Sequence, residues 1–326
     1  MNVELGIQSF LTHGEGERRL SDRTLRAYES DLVQFRESVA TSDLRRVSRD
    51  DLEQYVESLN SGRYRDTSIR RKVAALKVFF RFLEEQGMIE ESPARKLRIR
   101  KPVETRTPNV LTMKEIKSLL AAPKFQIAKL SPEREESQGS RNRFFCAVRD
   151  NLIIETLFST GIRIGELVAL NVGDADLEVR KLRITGRGDR GRSLDLASEV
   201  VFEALEDYLG LLGDRNVKSE ALFIGRSNTR LTIYSIENIF KKYARHAEIK
   251  RHVTPHALRH TMAAMLINNG ADIREVQEIL GHASILSTQV YTRMTPAPRN
   301  RRATVELNQR DRIMVHAPSA RLRIKN

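Results

Sequence analysis

The sequence predicts a mainly helical fold with one small β element, arranged as two domains. Three observations carry this. A chain of 326 residues exceeds what one typical hydrophobic core organises, so two domains are the natural expectation. Apolar residues step by three and four through the first hundred residues, the period of helices with one buried face. One later stretch, "VRKLRITGRGDRGRSLDL", carries alternating or β-branched residues on either side of a glycine-rich turn, which is the pattern of a β-hairpin.

In "SDRTLRAYESDLVQFRESV" the apolar positions Leu25, Tyr28, Leu32, Phe35 and Val39 share a face, and Ser21 stands where a helix cap belongs. The next helix, "VSRDDLEQYVESLN", opens with Ser48 as N-cap and Asp51 at the third helical position. Val47 and Leu52 are spaced to close a hydrophobic staple. A third, "SIRRKVAALKVFFRFLEEQG", buries Ile69, Val73, Leu76, Phe80 and Leu83 and stops at Gly87. Its other side carries Arg70, Lys77 and Arg81, a face suited to solvent or to phosphate contacts.

Residues 1–97 therefore read as a helical domain, and 98–110 as a basic linker interrupted by Pro102 and Pro108. A second domain opens at "LTMKEIKSLL", where Thr112 and Glu115 form a capping box. The polar run from Leu130 to Arg143 reads as a surface loop or mobile insertion. "RDNLIIETLFSTGIRIGELVAL" is helical around a break at Thr160 and Gly161, and the chain stays mostly helical to about Tyr291. The second domain spans 111–300, leaving 301–326 as a basic tail.

Lys and Arg outnumber Asp and Glu by 56 to 43, a net charge of +13. Such an excess points to a neutralising partner, most often nucleic acid; the plainer alternative is a soluble basic protein. No apolar run is long enough to span a membrane, and "MNVELGIQSF" lacks the basic and apolar regions of a secretory signal. The single cysteine, Cys146, excludes an intrachain disulfide and a CxxC-based zinc cluster. A reduced, cytoplasmic protein is expected.

The strongest local signal for chemistry is "TPHALRHTMAAMLINNG". Thr254 caps, Pro255 presets the first turn, and His256 and Arg259 lie three apart on one side of a helix N-terminus. The free N–H groups there favour an anion. A surface ion pair and a capping histidine are the structural alternative. Arg163, after the Thr-Gly break, is expected near the core, where it needs a partner. Glu166 is one candidate and a bound phosphate the other.

Together with "LGHASILSTQVYT", these stretches resemble the catalytic motifs of tyrosine site-specific recombinases, the phage-integrase superfamily, in their Xer-like form. The resemblance covers roughly residues 5–300. It implies a SAM-like core-binding domain followed by an α+β catalytic domain, clamping DNA between them. It further implies that Arg163 and Arg259 hold the non-bridging oxygens of the scissile phosphate. His256 and His282 would assist, and Tyr291 would attack phosphorus to form a 3′-phosphotyrosyl link. No metal, cofactor or ATP is implied. The partners implied are double-stranded DNA with inverted-repeat sites and a tetramer of this chain, with accessory proteins in some relatives. The tail, through "ATVELNQ", would dock on a neighbouring subunit.

Two departures stand out. The family's lysine in the hairpin turn is here Arg187, between Gly186 and Gly188. Arginine holds its proton more tightly and is the poorer acid. Lys181 is the nearest lysine, at the wrong spacing. The stretch 124–145 is also longer than Xer-like relatives usually have, and a DNA or subunit contact there is an alternative to a loop. Two competing readings remain: a non-catalytic DNA-binding protein of the same fold, supported only by the missing lysine, and a nicking-closing enzyme like topoisomerase IB.

Overall fold

A computed structural model of the chain describes residues 2–16, 20, 22–62, 64–98, 109–133, 135–185, 191–215 and 217–281. Ser21, linker residues 99–108, Arg187, His282, Tyr291 and the tail lie outside the described residues. The chain divides into two compact units, residues 1–105 and 106–326.

The first unit contains α1 (Val3–Gly16), α2 (Asp22–Ser38), α3 (Arg49–Ser61) and α4 (Asp66–Glu85). The expected stripe of α4 is buried throughout, but Lys72, Ala75, Phe79 and Phe82 are buried as well. The helix is wrapped because α1, α2 and α3 all pack on it. Phenyl rings fill the space edge to face, with Phe10 and Phe79 at 5.6 Å and Phe35 and Phe80 at 5.9 Å. Ser48 and Asp51 form the expected reciprocal cap, and both Val47 and Leu52 are buried. Gly87 follows α4 at φ +65, the left-handed position that glycine adopts most easily.

One feature of this core is ionic. Lys72 Nζ lies 2.8 Å from Asp31 Oδ1 and 2.6 Å from Gln34 Oε1. The Lys72 and Asp31 side chains are only 4% and 1% exposed. Arg71 reaches the second Asp31 oxygen from the surface. The α2 face therefore turns a carboxylate inward to meet a charge on α4, and neither ion is tolerable without the other.

The second unit contains α5 (Met113–Leu130), α6 (Gln138–Thr160), α7 (Ile164–Ala169), strands β1 (Ala175–Asp176), β2 (Lys181–Ile184) and β3 (Arg192–Asp195), then α8 (Glu199–Gly213), α9 (Ile233–His246), α10 (Pro255–Asn268) and α11 (Ile273–Leu280). Helix α6 is buried almost without interruption from Phe144 to Phe158 and packs against α5, α8 and α10. The hairpin forms as expected, antiparallel, with Ile184 opposite Arg192. The short strand β1 extends it to a three-stranded sheet in the order β1-β2-β3.

The stretch 130–143 is a loop only in its first half. Helix α5 runs to Leu130 and α6 starts at Gln138, which leaves residues 131–137 as the connection. Ser137 caps α6 by accepting the Ser140 N–H at 3.0 Å. Arg141 and Arg143 bond back to Gln138 and Ser140. From Gln138 onward the polarity marks exposed helical turns. Among the described residues, no helix is long and apolar enough to cross a membrane.

The start of the second unit is tied down at several points. Thr112 and Glu115 form the expected capping box. Arg251 donates to Glu115 Oε1 at 2.7 Å and to the Val110 carbonyl at 2.7 Å. The Leu111 N–H donates to Thr261 Oγ1 on α10 at 2.8 Å. Thr261, fully buried, passes its own proton to the Ala257 carbonyl.

Two outcomes follow. Asp31→Ala strands the Lys72 charge and is expected to cost about 3 kcal/mol in urea unfolding; Asp31→Leu combined with Lys72→Met should recover most of it. The second concerns acid. Hydrogen bonds from Arg251, and then from Thr112, hold the Glu115 carboxyl down at about 2 against its usual 4.5. A depressed carboxylate adds stability that is present above pH 4.5 and is lost as pH falls towards 2. Arg251→Ala should remove that increment, so the variant's stability difference from wild type shrinks across this window.

Candidate active site

Helix α6 ends at Thr160, and Gly161 turns the chain at φ +60. Space as well as conformation requires glycine here. A Cβ would lie 2.8 Å from Met262 Cε and 2.9 Å from Leu280 Cδ2. Two residues later Arg163 caps the start of α7. Its Nη1 donates to Glu166 Oε1 at 2.7 Å, and its Nη2 donates to the Gly281 carbonyl. Glu166 Oε2 accepts both the Arg163 N–H and Arg192 Nη2, each at 3.0 Å.

The Arg163 side chain is 38% exposed, which corrects its expected place near the core. Ile162 and Ile164 on either side stay in the core, and the Arg163 side chain turns outward between them. The buried member of the pair is Arg259, 3% exposed. It projects from the first turn of α10, where Thr254 accepts the Ala257 N–H at 3.0 Å and Pro255 occupies the first helical position. Arg259 Nη1 donates to the Gly161 carbonyl, and Nη2 donates to the Leu280 carbonyl at 2.6 Å. His256, on the same turn, is exposed. Burial pushes His260 below the usual histidine range, and the neighbouring His256 and Arg259 act in the same direction.

Helix α11 closes the site. It ends at Leu280, and Gly281 follows at φ +61. The carbonyls of Leu280 and Gly281 are successive, and Arg259 takes one while Arg163 takes the other. Such carbonyls carry the negative end of the helix and have no partner within it. Residues 118 apart in sequence thus meet, directly before His282. Arg163 and Arg259 are brought together, with His256 on the helix of the second. Arg187, His282 and Tyr291 are outside the described residues.

Arg192 escaped the sequence analysis. It is the first residue of β3, and nothing in the alternation of the strand distinguishes it. Its side chain is 22% exposed, and its guanidinium lies against Gly281, where a Cβ would overlap it. Burial lowers its pKa, as does the nearby Arg163, while Glu166 opposes both. Arg163 and Arg192 thus share the Glu166 carboxylate, and Arg163 and Arg259 meet at the end of α11. Lys181 begins β2, away from the turn, and its Nζ lies 3.8 Å from Asp195.

In the first unit, Arg70 and Lys77 on α4 are half-buried and Arg81 is exposed. Lys77 lines a cleft of about 950 Å³ together with Arg49, Arg95, Lys96 and Arg98. Among the described residues, no three His, Cys, Asp or Glu side chains stand together as a metal site would need.

Gly161→Ala should destabilise the chain by about 1–3 kcal/mol in denaturant unfolding, through strain and overlap together. Gly87→Ala serves as the control. That glycine has the same backbone sign with nothing within 4 Å, so only the smaller conformational cost applies.

The phage integrase family model matches residues 109–297, and the phage integrase N-terminal SAM-like domain model matches residues 7–87. A tyrosine recombinase of Agathobacter rectalis is 35% identical over 293 residues, which cover 89% of this chain and 92% of that protein. Tyrosine recombinase XerC of Roseiflexus castenholzii is 35% identical over 311 residues, covering 90% and 93%. Among solved structures, XerH site-specific recombinase bound to palindromic difH substrate in a post-cleavage complex gives a TM-score of 0.66. It is 23% identical, with 83% of this chain and 76% of that one covered, a likeness of fold.

Proposed function

The chain belongs to the phage integrase family and is a tyrosine recombinase, and we propose that within that family it exchanges DNA strands at specific sites with Tyr291 as nucleophile. The observation that carries this reading is the pairing of Arg163 and Arg259 on successive carbonyls of residues 280 and 281. Two guanidiniums fixed side by side match the two non-bridging oxygens of a phosphodiester, and their fork geometry favours that contact.

In the proposed reaction the Tyr291 hydroxyl attacks phosphorus. A bond from phosphorus to the tyrosine oxygen forms, and the bond to the 5′-oxygen breaks. The phenol gives up its proton to water or to a neighbouring histidine, and the 5′-oxygen takes one up and leaves as a hydroxyl. Arg163 and Arg259 stabilise the charge that builds on the phosphoryl oxygens, and His256 and His282 assist at the same phosphate. The 3′-phosphotyrosyl link keeps the energy of the broken bond. A 5′-hydroxyl from the other duplex then reverses the step, so the scheme uses neither ATP nor metal. Free tyrosine ionises near pH 10, and cations beside Tyr291 would favour its phenolate. Arg187 donates to the leaving oxygen in place of the family's lysine.

The substrate is duplex DNA bearing inverted repeats, engaged by four protomers on two sites. Phosphate contacts come in part from Arg70, Lys77 and Arg81 on α4. The net charge of +13 supports such a partner. The XerH structure, solved on DNA, supports the same assignment by analogy of fold.

A nicked suicide duplex carrying the site is the direct test. Wild type is expected to form a denaturant-resistant DNA adduct and Tyr291→Phe none, while Arg163→Ala slows its formation at least ~100-fold. No adduct from wild type, or an undiminished adduct from Tyr291→Phe, rejects the reading. A 5′-phosphorothiolate leaving group should rescue Arg187→Ala; failure of that rescue removes Arg187 as donor to the leaving oxygen.

A further inference from the structure

We propose that Arg192 is a positioning residue for strand transfer, holding Glu166 and the Gly281 peptide so that Arg163 presents a fixed and still positive guanidinium. The proposal rests on the strand-transfer reading above.

The first argument is charge. Glu166 gives Oε1 to Arg163 at 2.7 Å and Oε2 to Arg192 at 3.0 Å. Facing Arg163 alone, the carboxylate would cancel the charge that a phosphate needs. Shared between two guanidiniums, it leaves the group with one net positive charge beside Arg259. The second argument is geometry. A carboxylate held at both oxygens cannot rotate, and Glu166 also accepts the Arg163 backbone N–H. Arg163 is therefore fixed at its main chain and at its guanidinium by one side chain, which Arg192 in turn holds.

The third argument is packing. The Arg192 guanidinium occupies the place where a Cβ of residue 281 would stand, against the peptide whose carbonyl Arg163 grips. Gly281 is thus required twice, for its φ of +61 and for the cation upon it. Among the described residues, Arg192 Nε is buried without a partner. That loss is tolerated in a side chain held for its position. Arg192 also pairs with Ile184 at the end of the hairpin ladder.

The experiment uses the full chain and the nicked suicide duplex, with wild type, Arg192→Met and Arg192→Lys. Single-turnover adduct formation at saturating DNA is measured apart from the DNA Kd. Arg192→Met is expected to slow the adduct roughly 10- to 100-fold with Kd unchanged. Arg192→Lys should recover part of the rate by keeping the charge. A wild-type rate in Arg192→Met, a loss confined to Kd, or a lysine variant no better than methionine overturns the role. A second arm reads thermal unfolding of Gly281→Ala, Arg192→Ala and the double variant. The contact predicts that the combined loss of Tm is smaller than the sum of the two, and strictly additive losses overturn it. Wild type without any adduct rejects the strand-transfer reading and this role with it. An active wild type with an unaffected Arg192→Met rejects the Arg192 role alone.

Discussion

The site depends on two successive carbonyls at the end of α11. Arg259 holds that of Leu280 and Arg163 holds that of Gly281. Burying Arg259 is tolerable because carbonyls already orphaned by the helix end meet its guanidinium. Helix α11 has only eight residues and little stability of its own. Its place is set by a small cluster in which Val276 and Leu280 pack with Met262, Ala263 and Leu266 of α10. A handful of methyl groups therefore fixes the spacing of two charges.

The same ionic arrangement occurs in both units, with different burial. Asp31 divides its oxygens between Lys72 and Arg71, and Glu166 divides its own between Arg163 and Arg192. Asp31 is 1% exposed and Glu166 19%. In the first unit, one cation is sealed with its partner and the group serves packing. In the second, the cations stay half open to water, where an incoming anion can compete for them. Depth decides whether one carboxylate between two cations is a strut or a socket.

Much of this was legible in the chain. Capping residues Ser48, Thr112 and Thr254, the Thr160-Gly161 break and the stripe of α4 act through neighbours in sequence, so local pattern reports them. Family membership was legible for another reason: Arg163, His256 and Arg259 stand in an ordered set of motifs. What failed was anything set by distant contacts. Arg163 is expected near the core because its flanks are apolar, and those flanks are buried, yet its own side chain turns outward to Glu166 and Gly281. The polar stretch 130–143 reads as a loop throughout, but only 131–137 connects the helices, because polarity separates exposed from buried and not helix from coil. Nothing in the local pattern singles out Lys72 and Asp31, and only the wrapping of α4 brings them inside. Arg192 had no signal, since its partners Glu166 and Gly281 lie far away along the chain.

The bond from the Leu111 N–H to Thr261 has a consequence for how this molecule reports on itself. That amide belongs to the first residues of the second unit, yet its acceptor is a buried side chain of α10, the helix of His256 and Arg259. Its hydrogen cannot exchange with solvent deuterium until α10 and the entering chain part. The exchange rate at Leu111 is therefore a clock for how often α10 comes unseated, readable in the uncut protein with no DNA present.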